Sequence, residues 1–261
     1  MQGRRIWITG ASSGIGAALA EVLAAEGASL VLSARRADAL AAVRERCEGP
    51  ERHRVVPLDL EAVGLDPAAA RRAAEAAGPV DVLVNNAGLS QRSLALDTDL
   101  EVDRRLMTIN YLGTVALTKA ALPAMIERRA GQVVVVTSLV GKIGSPLRSG
   151  YAASKHALHG FFESLRAELH GSGVGVTMVL PGYIRTELPM HALVGDGSAQ
   201  GRMDRAQLEG MAAERCARKI ARAIARRRAE VVIGGREVAG VYVHRLFPAL
   251  FRWLLPRVRV T

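Results

Sequence analysis

Short apolar runs alternate with longer amphipathic stretches along this chain, and the alternation dictates its elements. Ile6, Trp7 and Ile8 read as a first buried strand, after which Leu19, Val22 and Leu23 line one face of a helix. Ser29 to Ser33 is a second strand, Val55 to Leu58 a third, and Val80 to Val84 a fourth. A long helix is predicted from about Asp103 to Arg128, with Gly131 marking its end. Gln132 to Thr137 then forms a β-branched fifth strand. A helix from Tyr151 to about His170 leads to a sixth strand, Gly175 to Leu180. An Arg-rich helix, about Arg215 to Arg228, precedes the last strand, Glu230 to Ile233. Apolar strands alternating with helices imply an α/β fold, a doubly wound parallel sheet covered on both faces. Ligands of such sheets bind beyond the carboxyl ends of the strands.

Chemistry-bearing residues fall at those ends. Thr9-Gly10-Ala11-Ser12-Ser13-Gly14-Ile15-Gly16 joins the first strand to the first helix. Glycines at such a turn let the backbone approach a pyrophosphate, whose charge meets the helix N-terminal amides. The spacing is Gly-x-x-x-Gly-x-Gly, not the commoner Gly-x-Gly-x-x-Gly, but the strand-to-helix setting predicts a dinucleotide site and a Rossmann-like sheet. The second strand ends at Ala34-Arg35-Arg36, where NAD-preferring proteins carry an acid for the ribose 2′-hydroxyl. A guanidinium there matches a 2′-phosphate, so NADP(H) is expected, held by Arg35 and secondarily by Arg36.

Tyr151 and Lys155 are four residues apart, which on a helix places them on one face. A cation ~4 Å from a phenol is worth roughly 4 kcal/mol at an effective dielectric of 20. That is about three pKa units, opposed by burial. The pair suits a group that takes and returns a proton at an alcohol or carbonyl. By itself Tyr-x-x-x-Lys is a common helical pattern; its weight comes from the rest of the chain.

Taken in order, Thr9 to Gly16, Asn85 to Gly88, Asn110, Ser138, Tyr151, Lys155 and Pro181-Gly182 resemble the short-chain dehydrogenase/reductase family over about residues 4 to 234. The stretches Gly141 to Ile143, Arg148 to Ala157 and Pro181 to Ile184 are similar to its branch called family member 7B, though Leu180 replaces a residue often small or polar. The resemblance implies an oxidoreductase interconverting a carbonyl and a secondary alcohol. Tyr151 is then the acid/base, Lys155 lowers its pKa and binds the nicotinamide ribose, and Ser138 steadies the developing alkoxide. Asn110 holds a water linking Lys155 to solvent. Asp59 and Leu60 flank the adenine, Asn86, Ala87 and Gly88 line a ribose, and Pro181, Gly182, Ile184 and Thr186 meet the nicotinamide. Read singly, Asn110 equally suits a backbone bridge, Asp59 a helix cap and Ser138 a strand end. The alternatives are a 3-oxoacyl reductase, for which no carrier-docking signature stands out, and an NADPH-binding regulator, which has no use for an acid/base.

Composition narrows the setting. At 261 residues and 49% hydrophobic, the chain supports one domain, assigned to residues 1–234. Two cysteines, Cys47 and Cys216, provide no disulfide framework and fit a reducing, cytoplasmic compartment. The first strand begins within a few residues of Met1, so no secretory signal is expected, and no run of 18 apolar residues stands out. A net charge of +10 invites nucleic acid, but the arginines are scattered and no recognised motif accompanies them. No metal site is read.

Residues 187–213, with Met190, Met203 and Met211, follow the nicotinamide motif and are expected to form a loose lid over an apolar ligand. Residues 235–261 form an apolar-basic extension. Phe247, Leu250, Phe251 and Leu254 share a helical face, with Pro248 at the helix start and Pro256 just past its end, decorated by Arg245, Arg252, Arg257 and Arg259. Packing on the domain or a neighbour is favoured over peripheral contact with a membrane surface. A homodimer or homotetramer is expected from the family, with Phe161, Phe162 and Leu165 as contact material or as core.

Overall fold

The structure, a computed structural model, describes residues 1–257; Arg259 and Val260 of the tail lie outside the described residues. Its main sheet contains β1 (Arg5–Thr9), β2 (Ser29–Ser33), β3 (Arg54–Val55), β4 (Val82–Asn85), β5 (Gly131–Val136), β6 (Val174–Pro181) and, after the short β7 (Ile184–Arg185) and β8 (Met211–Ala212), β9 (Glu230–Ile233). The order across it is β3-β2-β1-β4-β5-β6-β9, with every pairing parallel. β7 and β8 pair with each other, apart from the main sheet.

Alternation along the strands feeds two cores. Ile6, Ile8, Leu30, Leu32, Val82 and Val84 face α1 (Gly14–Ala25), α2 (Ala37–Arg46) and α9 (Ala213–Ala225). Trp7, Val31, Leu83, Val133 and Val135 face α3 (Leu60–Leu65), α4 (Pro67–Ala77), α6 (Thr114–Glu127) and α7 (Ser149–Glu168). Both faces of the sheet are therefore dry, and a strand with two dry faces reads as a continuous apolar run. The chain leaves β1 toward β2 on one side while β4 lies on the other. The turn after Thr9 thus stands at the switch point where ligands gather.

Most strands and helices shift by a residue or two from the sequence reading, and two differences have a clear physical cause. Ladder pairing in β3 stops at Val55, because Pro57 has no N–H; Val56 and Leu58 on either side still donate to Leu32 and Ala34 at 2.9 Å. The long helix starts earlier, as α5 (Leu100–Met107), with Glu101 and Asp103 in its first turn. It continues through a π-helical segment, Thr108–Gly113, before α6. The run Leu100–Glu127 is long and apolar enough by composition to cross a membrane, but Val102, Leu106, Leu117 and Met125 bury its inner side. After α8 (Arg205–Leu208) and α9, the chain ends in α10 (Ala239–Leu246) and α11 (Pro248–Leu254). Phe162 and Leu165 belong to the subunit's own core, while Phe161 is half-buried and meets Tyr111 edge-on with ring centres 6.3 Å apart.

Candidate active site

A cavity of about 770 Å³ opens at the carboxyl ends of β1, β2, β4, β5 and β6. One wall is the glycine turn. Gly10 has φ 65°, and a side chain there would meet Ala87 Cα at 2.8 Å. At Gly16 a β-carbon would lie 2.1 Å from the Gly10 carbonyl, so α1 can begin this close to β1 only without one. The turn is strapped from below. Thr9 Oγ1 accepts from the amides of Asn86 and Ala87 at 3.0 and 3.1 Å, and Asn86 Nδ2 donates to Thr9 O at 3.0 Å. Ser13 starts α1 without a side-chain cap, and no acid occupies the first turn, which leaves its amides directed at an anion.

Gly10, Ser12, Ser13, Gly14 and Ile15 line the cavity, followed by Arg35 and Arg36 at the end of β2. Both arginines are exposed; the nearest acid, Asp38, lies one residue into α2 and does not line the cavity. Asp59 and Leu60 line it too, and Asp59 also caps α3, accepting from Glu61 N at 3.0 Å. Asn86, Ala87, Gly88, Pro181, Gly182, Ile184 and Thr186 complete the walls. Two of the sequence-derived residues stand behind the lining: Gly16, in the packing just described, and Asn110.

The opposite wall carries Ser138, Tyr151 and Lys155. Tyr151 and Lys155 share the buried face of α7, as their spacing requires. Ser138, at the end of β5, is hydrogen-bonded to the Tyr151 phenol and accepts from Val140 N at 3.3 Å. Lys155 Nζ donates to Val136 O at 3.1 Å and sits 5.7 Å from the centre of the Tyr151 ring. Burial lowers the Lys155 pKa from 10.5 to about 8.

Burial dominates at Tyr151 and pushes the phenol up; against it act the Arg148 guanidinium, then the Ser138 hydrogen bond, then Arg92. Lys155 Nζ stands 5.7 Å from the ring centre beside these groups. Its own charge is weakened by the burial that brings it near.

Asn110 is fully buried within the π-helical segment. Its Oδ1 accepts from Leu89 N at 2.8 Å and its Nδ2 donates to Leu89 O and to Ser154 Oγ, both at 2.9 Å. The backbone-bridge reading of this side chain is therefore realised. A β-carbon on Gly88 would stand 3.2 Å from Asn110 Oδ1 and 3.3 Å from Lys155 Nζ, so the two polar groups approach each other only across a glycine.

Several contributors escaped sequence reasoning. Gln91 is buried, and its Oε1 accepts from the amides of Gly150 and Tyr151 at 2.8 and 3.2 Å, fixing the start of α7 beneath the phenol. Arg92, Arg148 and Asp204 form a buried charge cluster: Arg92 donates to Asp204 Oδ2 at 2.7 and 2.5 Å, and Arg148 reaches the same oxygen at 3.6 Å. Arg148 also lies 5.8 Å over the Tyr183 ring. Their one signal was a polar run, Ser90 to Ser93, in an otherwise apolar stretch.

The segment 187–213 is joined to the body of the domain by backbone hydrogen bonds. Leu193 exchanges backbone hydrogen bonds with Ser90 and Arg92 at 2.9 and 2.8 Å, and Asp99 N donates to Gly195 O at 2.9 Å. It gives the cavity Glu187, Leu188, His191, Leu193 and Gln207, whereas Met190, Met203 and Met211 point to other surroundings. The methionines thus say nothing about the ligand. Among the described residues, His159, Glu163 and Glu230 bring three metal-capable atoms within 4.8 Å of one another. Lys142 Nζ is 3.3 and 3.1 Å from the two carboxylates and already supplies their cation.

Comparison with known proteins agrees with this geometry. The sequence profile described as short chain dehydrogenase matches residues 4–193. "Dehydrogenase/reductase SDR family member 7B" of Xenopus laevis is 44% identical over 259 residues, 96% of this chain and 80% of the relative. "Dehydrogenase/reductase SDR family member 7" of Homo sapiens is 43% identical over 256 residues, 95% of this chain and 76% of the relative. A short chain dehydrogenase from Burkholderia cenocepacia in complex with NADP superposes with a TM-score of 0.82 at 27% identity, covering 97% of this chain and 98% of its own. A short chain dehydrogenase/reductase from Burkholderia phymatum in complex with NAD gives 0.80 at 25% identity, covering 95% of each chain. Solved neighbours thus bind one nucleotide or the other. Glycine turn, seven-stranded parallel sheet, profile match and relatives converge: this chain is an oxidoreductase of the short-chain dehydrogenase/reductase family.

Proposed function

We propose that the protein interconverts a carbonyl compound and a secondary alcohol, using NADP(H), with Tyr151 as the acid/base. The observation that carries this reading is the meeting of Ser138, Tyr151 and Lys155 on one wall of a cavity whose other wall is the glycine turn. Bound nicotinamide supplies or accepts the hydride. The protein's residues handle everything else.

In the reducing direction the protonated phenol of Tyr151 gives its proton to the substrate oxygen as charge develops there. Ser138 donates to the same oxygen, a fixed dipole in a dry wall being worth more than a water. Lys155, with a pKa near 8 and its ammonium lining the cavity, is placed to exchange the proton onward. In the oxidising direction the phenolate is the base, and every group that favours the anion favours the rate.

Arg35 and Arg36 support NADP(H) over NAD(H), because two cations line the cavity at the end of β2, where NAD-preferring proteins carry an acid. Leu89, Leu188 and Leu193 supply apolar lining near Tyr151, beside Glu187 and His191, which suits a largely apolar substrate with a polar end. The test is Tyr151→Phe, assayed by NADPH consumption across a panel of ketones and aldehydes. Turnover should fall by about 100-fold or more with NADPH affinity kept. Near-normal turnover in the variant would assign the proton to another group and overturn the reading.

A further inference from the structure

The end of the chain departs from the rest of the surface. Between Tyr242 and Leu254, six large apolar side chains are more than a third exposed, including Tyr242 at 55%, Phe247 at 60% and Trp253 at 58%. On α10 Tyr242 and Leu246 are one turn apart; on α11 Leu250, Trp253 and Leu254 share a face. The hairpin is anchored by little. Val238 and Val241 join the core at its start, and Phe251, buried, meets His244 edge-on with ring centres 4.9 Å apart. Phe251 is thus buried within the hairpin, while its neighbours on the apolar stripe stay exposed. Helices of eight and seven residues do not persist in water on propensity alone, and a contiguous exposed apolar patch marks an interaction site.

Charge selects the occupant. From Val238 to Thr261 the sequence contains Arg245, Arg252, Arg257 and Arg259 and no aspartate or glutamate, and the first three are exposed around the apolar face. A second copy pairing through the same patch would set arginine against arginine with no acid in the segment to answer it. An anionic lipid surface supplies that charge, and interfacial Trp, Phe and Leu with Arg at the rim match the chemistry of its headgroup boundary.

We propose that the α10–α11 hairpin is a peripheral membrane-binding surface for anionic bilayers, laying Leu246, Phe247, Leu250 and Trp253 into the interface beneath Arg245, Arg252 and Arg257. Its position ties it to the site. Glu237, just before α10, accepts from Tyr183 N at 3.0 Å, next to the cavity-lining Gly182. Gly240 lies against Ile143, in the segment running from Ser138 to Tyr151. On the proposed function, docking brings the substrate end of the cavity to the lipid boundary, where a poorly soluble carbonyl compound partitions.

Two tryptophans make the test clean. Trp7 is fully buried, so a change in emission on lipid binding reports Trp253. The full chain should float with phosphatidylcholine vesicles containing phosphatidylserine, with a blue shift, and much less with phosphatidylcholine alone. Arg245→Gln and Arg252→Gln should each weaken partitioning about fivefold. Phe247→Ser/Leu250→Ser should abolish flotation and the shift while circular dichroism and melting temperature stay unchanged, since both positions are exposed. Absence of flotation and of a shift on serine-containing vesicles overturns the proposal. Lipid-independent dimers in sedimentation velocity that dissociate in the Phe247→Ser/Leu250→Ser variant overturn it as well, assigning the face to a second copy.

Discussion

Arg92 and Asp204 are 112 residues apart in sequence, yet Nε and a terminal nitrogen of the guanidinium lie 2.7 and 2.5 Å from a single oxygen of the carboxylate, with both side chains all but removed from solvent. The pair joins the loop after β4 to the segment before α8, and Arg148 brings a second guanidinium to the same oxygen. One carboxylate oxygen is thus shared by two guanidinium groups. Burial and the positive charge of Arg92 both pull the Arg148 pKa down, while the Asp204 charge helps hold it up.

Asp204→Asn should therefore be costly. It leaves two buried guanidinium groups facing each other without their shared anion, a change worth about 3–5 kcal/mol. For a domain of this size that is a fall in melting temperature of roughly 10 °C. Thermal unfolding followed by circular dichroism measures it. A variant melting within a degree or two of the parent would show that the cluster is solvated in solution.

On the proposed function, Arg148 is a positioning residue for the proton step. It is the first cation opposing the burial that raises the Tyr151 phenol, ahead of the Ser138 hydrogen bond and Arg92. Arg148→Met leaves Asp204 paired with Arg92, so the fold is retained. The phenol then ionises at higher pH, and alcohol oxidation, which needs the phenolate, should have its rising limb displaced to higher pH. Reduction at low pH, which needs the protonated phenol, should keep its plateau. A pH profile of kcat in both directions checks this; a parallel loss at all pH values, with no displaced limb, would reduce Arg148 to a structural role.

These electrostatics were the illegible part of the chain. Ser29–Ser33 and Glu230–Ile233 could be bounded to the residue because each is a compact apolar run ending in a turn or a helix. The glycine turn and the Tyr151–Lys155 pair were legible because their spacing is local. Arg92, Arg148 and Asp204 have no local pattern, and only the fold brings them together. The π-helical segment around Asn110 is equally silent, since one extra residue per turn barely disturbs an apolar period of 3.6. The tail shows the opposite failure: its amphipathic spacing was plain, but spacing alone does not reveal what covers the apolar face.

Lys155 illustrates function set against stability. Burial holds its ammonium at a pKa of about 8, against an ordinary 10.5. The folded state binds this proton less well than the unfolded chain does. Stability from this group is thus lowest below about pH 8, and it is regained as pH rises toward 10.5. The difference corresponds to about 3 kcal/mol. Lys155→Met should accordingly be more stable than the parent at pH 7, by up to about 3 kcal/mol, while losing activity. Urea unfolding of both proteins across this range should show the gap closing as pH rises. A gap independent of pH would place its origin in packing.

On the proposed function, cofactor choice rests on Arg35 and Arg36, which line the cavity at the end of β2 and are both exposed. A 2′-phosphate recognised there gains charge-assisted hydrogen bonds worth roughly 1.5–3 kcal/mol, which is about 10- to 100-fold in affinity. Arg35→Asp removes that gain and places a carboxylate where a ribose 2′-hydroxyl can donate to it. NADPH should weaken by at least the lower of those factors, and NADH should hold or improve. The same substitution at Arg36 should have the smaller effect. Fluorescence titration of both nucleotides on both variants separates the contributions, and unchanged selectivity in Arg35→Asp would remove the arginines from the recognition of the phosphate.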